Sequence, residues 1–310
     1  MENYRRKEVE KFKSGFVAII GKTNVGKSTL INCLANEKIA ITTSKPQTTR
    51  TEIKAIINRE NSQIIFIDTP GIHKPKNKLG KFMIETAINS IQEADIVLFI
   101  VDAKQHEINE ENRLLLDKLK EKKRKVILVI NKIDLVKKES LLKEIENYRK
   151  EYEFSAVILL SALKGEGKEE LLTEIEKELP EGPAYYDKEE YTTQTTREII
   201  EEIIREKALK LLSQEIPHGI YVEVSKMKKR KTSKGEKIFD VEAVIYCTKK
   251  SHKGIIIGKD GAMLKKIGSY SRENVEKMLK EKVNLKLWVK VQENWVDNSN
   301  ILKKFKNTQN

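Results

Sequence analysis

Cysteine is scarce. The 310 residues carry two, Cys33 and Cys247, far apart and each inside an apolar run. A disulfide framework is therefore not expected, and two buried thiols in a reducing cytosol are. Long apolar runs are missing too: no stretch approaches the ~20 residues that span a bilayer. The start, Met1-Glu2-Asn3-Tyr4-Arg5-Arg6-Lys7, is charged with no apolar core behind it, so a signal peptide is not expected. Acidic charge is short at one end only. From Pro217 to Asn310 there are 22 Lys and Arg against 10 Asp and Glu, which supplies +12 of the net +13. The first 216 residues are near neutral. A polyanion partner is expected for the basic part, with a solvated lysine-rich surface as the plain alternative.

The length suggests two domains. Phe16 to Ile20 is an apolar run, and Thr29 to Ala35 reads as a helix. Between them lies Gly21-Lys22-Thr23-Asn24-Val25-Gly26-Lys27-Ser28, which has the strand–loop–helix context of a phosphate-binding P-loop. The glycines let backbone approach a ligand, the loop amides face phosphate, and the helix start adds its dipole. Lys27 is the candidate phosphate contact and Ser28 a candidate magnesium ligand. Two strand-like runs, Glu52 to Asn58 and Gln63 to Asp68, read as a pair. The second ends in Asp68-Thr69-Pro70-Gly71, where Asp68 would hold the metal and the Gly71 amide would sense a γ-phosphate. Asp95 to Val101, Lys125 to Ile130 and Ala156 to Leu160 read as buried parallel strands. Helical patterns separate them at Asn109–Lys120, Glu139–Tyr152 and Gly167–Leu179. The fold class that follows is α/β, a doubly wound, mostly parallel sheet with ligands at the strands' carboxyl ends.

Asn131-Lys132-Ile133-Asp134 selects the base. A carboxylate accepts two hydrogen bonds from guanine N1–H and N2–H₂, whereas adenine offers it a lone pair. Lys132 would lie along the nucleotide, Asn131 would brace the loops, and in Ser161-Ala162-Leu163 the Ala162 amide would meet guanine O6. A small-molecule kinase fails on this motif. The candidate nucleotide site is thus 21–29, Asp68 to Ile72, Asn131 to Asp134 and Ser161 to Leu163, for GTP or GDP with Mg²⁺.

These five motifs resemble those of translation-factor-type GTPases. The Gln47-Thr48-Thr49-Arg50 segment is similar to the branch holding Era and the MnmE-type tRNA-modifying GTPase. That resemblance implies that Thr49, with a share for Thr48, closes on magnesium, so Lys27, Thr49 and Gly71 are the catalytic candidates and Ser28, Thr49 and Asp68 the metal set. It also points to Asn24 as a potassium ligand; hydrogen bonding within the loop is the plain alternative. Ras-like proteins carry a water-orienting glutamine after Asp-x-x-Gly, and this chain has Ile72, which implies slow unaided hydrolysis.

Leu179 to Ala184 breaks the helical pattern and reads as a linker. Tyr185 and Tyr186 are expected to pack between domains. Thr196 to Leu212 reads as an amphipathic helix, Ile220 to Ser225 and Lys237 to Tyr246 as strands, and Lys226 to Lys237, with Lys234, as a basic loop. Ile257-Gly258-Lys259-Asp260-Gly261 joins two helices, the second from Ala262 to Lys282, and Asn284 to Val291 is a last strand. A sugar-phosphate backbone can lie against such a glycine turn while bases enter an apolar groove. Ile257 to Gly261 and Lys265 are the RNA-binding candidates. Trp288 and Trp295 read as core or cap residues. This part is similar to a KH domain in the prokaryotic, type II α+β arrangement. The expected domains are 1–180 for nucleotide, 181–195 as linker, 196–292 for KH and 293–310 as a C-terminal tail, patternless from Asn298 on.

A P-loop GTPase followed by one KH domain, with Glu202 to Lys207 and Leu287 to Val291, resembles the Era family across the whole chain. The resemblance implies a GTP-hydrolysing switch that binds the 3′ end of small-subunit ribosomal RNA and assists maturation of the 30S subunit. It further implies a cytoplasmic monomer, partly peripheral on the inner face of the cell membrane. The rival readings are a GTPase acting on a membrane or protein partner through its basic domain, and a passive RNA-binding module.

Overall fold

The computed structural model describes residues 11–307, apart from 44, 46–47, 106, 123, 213–215 and 232–234. The readings on Met1 to Lys7, Pro46, Gln47 and Lys234 lie outside the described residues. The chain groups into two compact units. One is built from the chain up to Ala40, Glu52–His73 and Ile84–Thr193; the other from Ile41–Thr51, Lys74–Met83 and the chain from Gln194 on.

The first unit is a six-stranded sheet of order β2-β3-β1-β4-β5-β6. Its strands are β1 (Lys13–Ile20), β2 (Ile53–Asn58), β3 (Ser62–Asp68), β4 (Ile96–Asp102), β5 (Lys125–Asn131) and β6 (Ala156–Leu160). Only β2 runs antiparallel, paired with β3. The near-continuous apolar runs are explained by burial on both faces. Along β4, Ile96, Leu98 and Ile100 join one core with α1 (Lys27–Ala35) and α5 (Lys168–Glu178). Val97, Phe99 and Val101 join the other, with α2 (Lys78–Glu93), α3 (Glu110–Lys122) and α4 (Lys138–Glu151). Helix α2 was not anticipated. Its buried Leu79, Phe82, Met83, Ala87 and Ile91 carry a helical period.

The expected linker is instead laid on the first unit. Ile56 N donates to Tyr191 O at 3.0 Å, and Gln63 Oε1 accepts from the amides of Tyr185 and Tyr186. The Tyr185 ring meets Phe16 at 4.9 Å, within the same unit. This covers the free edge of β2, which would otherwise offer unpaired backbone groups.

The second unit runs α6 (Thr196–Leu211), β7 (Ile220–Lys231), β8 (Lys237–Cys247), α7 (Lys250–Ile257), α8 (Ala262–Leu279), β9 (Lys282–Val291) and α9 (Ser299–Asn307). A capping box of Thr195 and Glu198 starts α6. The sheet order is β7-β8-β9, with β7–β8 antiparallel and β8–β9 parallel. Three expectations change. Lys226 to Lys231 is strand rather than loop, because it pairs with Lys237 to Glu242. The stretch from Asn298 on, read as patternless, forms helix α9, whose Leu302 is buried with Leu79, Phe82, Met83 and Trp295, the last wholly buried as expected of a core residue. Trp288, expected in the core or as a cap, is 43% exposed on β9. Among the described residues no helix is long and apolar enough to cross a membrane.

Candidate functional site

The P-loop leaves β1 at Gly21 and enters α1 at Lys27, as the spacing predicts. Both glycines are demanded by their surroundings. Gly21 has φ +156°, and a Cβ there would lie 2.4 Å from Ile100 O. Gly26 has φ +105°, and its Cβ would lie 2.3 Å from Asn131 Nδ2. Asn131 therefore sits against the loop, donating to Val25 O at 2.8 Å and accepting from Ala162 N at 2.9 Å. It braces two loops with one side chain. The Ala162 amide, expected to face guanine O6, is turned to Asn131 instead. Asp134 accepts from Ser161 Oγ at 2.7 Å, which aims its carboxylate.

Lys132, at φ +67°, reaches back to Asn24 O at 2.7 Å and to Asp102 Oδ2 at 2.6 Å. Asp102 was missed from the sequence, although it ends β4 as Asp68 ends β3. The same rule, an acid at the carboxyl end of a buried strand, finds it. Beside this cluster Glu144 on α4 is buried, with neither carboxylate oxygen hydrogen-bonded among the described residues. Burial, and next the charge of Asp102, push its pKa up to about 7.

At the phosphate end Ser28 Oγ donates to Asp68 Oδ2 at 2.8 Å, and Asp68 is fully buried. A hydroxyl and a carboxylate are hard oxygen donors and suit magnesium. Among the described residues no group of three or more His, Cys, Asp or Glu could hold a metal. A magnesium ion held by Ser28 and Asp68 would complete its shell with nucleotide phosphates or water. Lys27 Nζ is folded onto Gly21 O at 3.1 Å and Lys22 O at 2.9 Å. Burial lowers its pKa to about 8, opposed by the charge of Asp68. Thr69 Oγ1 donates to Ile19 O, and Ile72 N to Gly21 O at 3.2 Å, so the Asp-x-x-Gly turn is tied to β1. A Cβ on Gly71 would meet Thr23 N at 2.9 Å. Backbone approaches backbone there. The Ile72 side chain is buried in the core.

Thr48 and Thr49 are placed differently. Their segment, Ile41–Thr51, is counted with the second unit, while Ser28 and Asp68 belong to the first. Within the second unit Arg205 donates to Thr48 O, Lys45 Nζ to Leu212 O, and Arg50 Nη1 to Ile220 O. The Arg50 guanidinium also lies 5.4 Å from the Trp295 ring centre. Arg50 and Arg205 are buried, and no periodic pattern in the sequence marks either role.

The glycine turn of the second unit has the geometry expected. Gly258 (φ +73°), Asp260 (φ +50°) and Gly261 (φ +75°) all have positive φ. A Cβ on Gly258 would clash with Met263 N at 2.9 Å, while Gly261 faces open space. Ile256 and Ile267 anchor the two flanking helices in the core. Lys259 and Lys265 are exposed. Next to the turn a groove of about 360 Å³ is lined by Gly261, Leu264, Lys265, Arg272, Leu285 and Leu287, apolar walls with cationic rims. Arg272 was not anticipated; it follows Lys265 by two turns of α8.

Comparison with known proteins matches both units to known families. A family model described as 50S ribosome-binding GTPase matches residues 16–132, and one described as KH domain matches 215–296. The GTPase Era of Caldanaerobacter subterraneus subsp. tengcongensis is 50% identical over 293 residues, covering 94% of this chain and 97% of that protein. The GTPase Era of Clostridium kluyveri is 48% identical over 291 residues, covering 94% and 98%. Among solved structures, Era in complex with MgGDPNP and nucleotides 1506–1542 of 16S ribosomal RNA superposes with TM-score 0.91 at 37% identity, covering 95% of this chain and 98% of that one. An Aquifex aeolicus Era variant bound to GDP and AlF4⁻ gives 0.90 at 37%, covering 95% and 99%.

Proposed function

This chain belongs to the Era family of GTPases, and from that premise we propose that it is a GTP-hydrolysing switch that binds the 3′ end of 16S ribosomal RNA and assists maturation of the 30S subunit. Guanine is held by Asp134, itself aimed by Ser161. Asn131 keeps the P-loop and the base loop in register. Lys27 turns from its loop carbonyls to the β- and γ-phosphates, and the Gly71 amide meets the γ-phosphate. Ser28, Asp68 and Thr49 hold Mg²⁺, which when bound neutralises charge on the phosphates. Ile72 offers no group to orient water, so unaided turnover is slow.

The observation that carries the switch is where Thr49 belongs. The loop that answers the γ-phosphate is counted with the RNA-binding unit, tied there by Arg205, Lys45 and Arg50. A nucleotide that reorders the segment around Thr49 would act on those ties, which gives RNA affinity a reason to depend on the nucleotide. The proposed domain division follows: nucleotide unit to about residue 193, then the KH unit, with the loop at 41–51 shared in function. The RNA in the solved relative spans 37 nucleotides (1506 to 1542 inclusive), far more than the about four a Gly-x-x-Gly turn clamps. Peripheral attachment to the inner membrane is proposed only as attraction of the basic unit to anionic lipid.

The test is RNA binding by fluorescence anisotropy, with GDP and then with a non-hydrolysable GTP analogue. Affinity that differs between the two states, and falls in Gly261→Asp, supports the switch. Equal affinity in both states sinks the gating and leaves a GTPase with a constitutive RNA site.

A further inference from the structure

The sheet of the second unit has two unlike faces. One is packed by α6 and α8 over Val222, Val241, Ala243, Ile245, Val283 and Val289. Alternation sends the even-numbered residues of β8 and β9 to the other face. There Trp288 is 43% exposed, and it makes no ring contact among the described residues. Lys286 and Lys290 stand two residues to either side of it on the same strand, both exposed.

Strand β7 adds cations to this face by a change of parity. Tyr221 and Glu223 pair with Tyr246 and Val244 and so share the Trp288 face. A register shift between Val224 and Lys226 then inserts Ser225 as an extra residue. From there on the even-numbered residues face outward: Lys226 opposite Glu242, which is opposite Lys286, and Lys228 opposite Asp240. Without the bulge these lysines would point into the core.

Of the acids on this face, Glu223, Asp240 and Glu242, the last two are engaged by neighbours on the sheet. Glu242 is 3.7 Å from Lys226, and Asp240 accepts from Arg230 Nε and from Asn284 Nδ2. Lys228, Lys286 and Lys290 make no ion pair among the described residues. At the far end of the face Tyr221 stacks on Tyr246 at 4.6 Å and meets Trp295 at 4.8 Å, which closes it. What remains open is one indole among unpaired lysines. An indole gives a base a surface to stack on and lysines hold phosphate, the pairing that single-stranded nucleic acid requires. A membrane would need a wider apolar area than one ring.

We propose that the open face of β7, β8 and β9 is a second binding surface for single-stranded RNA, in which a base stacks on Trp288 and phosphates are held by Lys228, Lys286 and Lys290. It rests on the reading that this unit binds RNA. It is separate from the groove at the glycine turn, which lies between α8 and the opposite side of β9 through Leu285 and Leu287.

The test uses the full chain and a 20-nucleotide single-stranded RNA, read by indole fluorescence and by anisotropy in parallel. Trp295 is buried with its Nε1–H on Gly219 O, so RNA-dependent quenching reports Trp288. Quenching is expected in the parent and in Gly261→Asp at saturating RNA, and is expected to vanish in Trp288→Phe. Trp288→Ala should weaken binding about five- to 150-fold, as loss of one stacked base does, with Phe restoring most of it. Lys286→Gln with Lys290→Gln should lower the salt slope by about two. GTP turnover without RNA, measured in each variant, is the check on folding.

Unchanged affinity in Trp288→Ala, with Gly261→Asp weakened, overturns the second surface and leaves the RNA reading intact. No RNA binding by the parent overturns that reading itself. Quenching by phosphatidylglycerol vesicles but not by RNA overturns the proposal in favour of a lipid surface.

Discussion

Replacing Gly26 by Ala isolates the contact on which the nucleotide site depends. Two costs arise. The backbone is held at φ +105°, which costs a side-chain-bearing residue about 1–3 kcal/mol. The new methyl would lie 2.3 Å from Asn131 Nδ2, so Asn131 must leave its place. Its bonds to Val25 O and Ala162 N are then lost, and each leaves a buried backbone group unmatched, at about 1–3 kcal/mol. The total is about 3–9 kcal/mol against the loop conformation seen here. Asn131→Ala alone removes the two bonds without the strain. The double variant removes the clash as well, because an alanine in place of Asn131 has no amide to displace. Affinity for a fluorescent GDP should therefore fall at least 10²-fold in each single variant. In the double variant it should fall by clearly less than the product of the two, with a coupling of about 2 kcal/mol or more. Additive losses, within about 0.5 kcal/mol, would refute the claim that Gly26 is glycine on account of Asn131.

Two further outcomes follow from local environments. Glu144 has its pKa raised from 4.5 to about 7, so the folded chain binds more protons than the unfolded one and the group's contribution, complete below about pH 4.5, is lost as pH rises through about 7. Glu144→Gln should change urea stability little at pH 5 and raise it at pH 8 by about 1–3 kcal/mol; an equal change at both pH values would contradict this. Asp134→Asn removes two charge-assisted acceptors, and guanine nucleotide affinity should drop about 10²–10⁴-fold. Xanthine nucleotides, which present an oxygen where guanine has its amino group, should gain in the same competition assay. A variant that still prefers GDP over XDP would show that base choice lies elsewhere.

The motifs that touch nucleotide were legible because short covalent spacing fixes them. Gly21, Gly26, Lys27 and Ser28 sit on one turn, and a strand end delivers Asp68, Asn131 or Asp134 to the same edge wherever the sheet is parallel. Less was legible where the determining contact is remote. Lys226 to Lys231 has the composition of a loop, yet pairing with Lys237 to Glu242 holds it as strand, and the single extra Ser225 decides which face its lysines take. Trp288 reads like Trp295 in sequence, but one is exposed and the other wholly buried. The linker could not be read as a sheet edge cover, since Gln63 and Ile56, which hold it, are more than 120 residues away. Unit membership of Ile41–Thr51 likewise depends on Arg205, Leu212 and Ile220 and has no local mark.

Those last ties have a strength that suits a switch. Each is a cation donating to a backbone carbonyl, worth about 1.5–3 kcal/mol in isolation. Against that stands the burial of two guanidinium groups. Burial comes first among the causes that lower the Arg50 pKa to about 9, the neighbouring charge of Arg205 second, and Glu202 opposes both only in part. Arg205 Nη1 finds no partner among the described residues. The three bonds thus contribute far less than their sum, about a few kcal/mol net. Shifting a two-state equilibrium from 1:99 to 99:1 takes about 5.5 kcal/mol. A clamp much stronger than this would hold Thr49 in every nucleotide state, and one with no buried charge opposing it would come closer to that limit. Burial of Arg50, and next its crowding by Arg205, therefore keep the net hold on the segment that carries Thr48 and Thr49 modest.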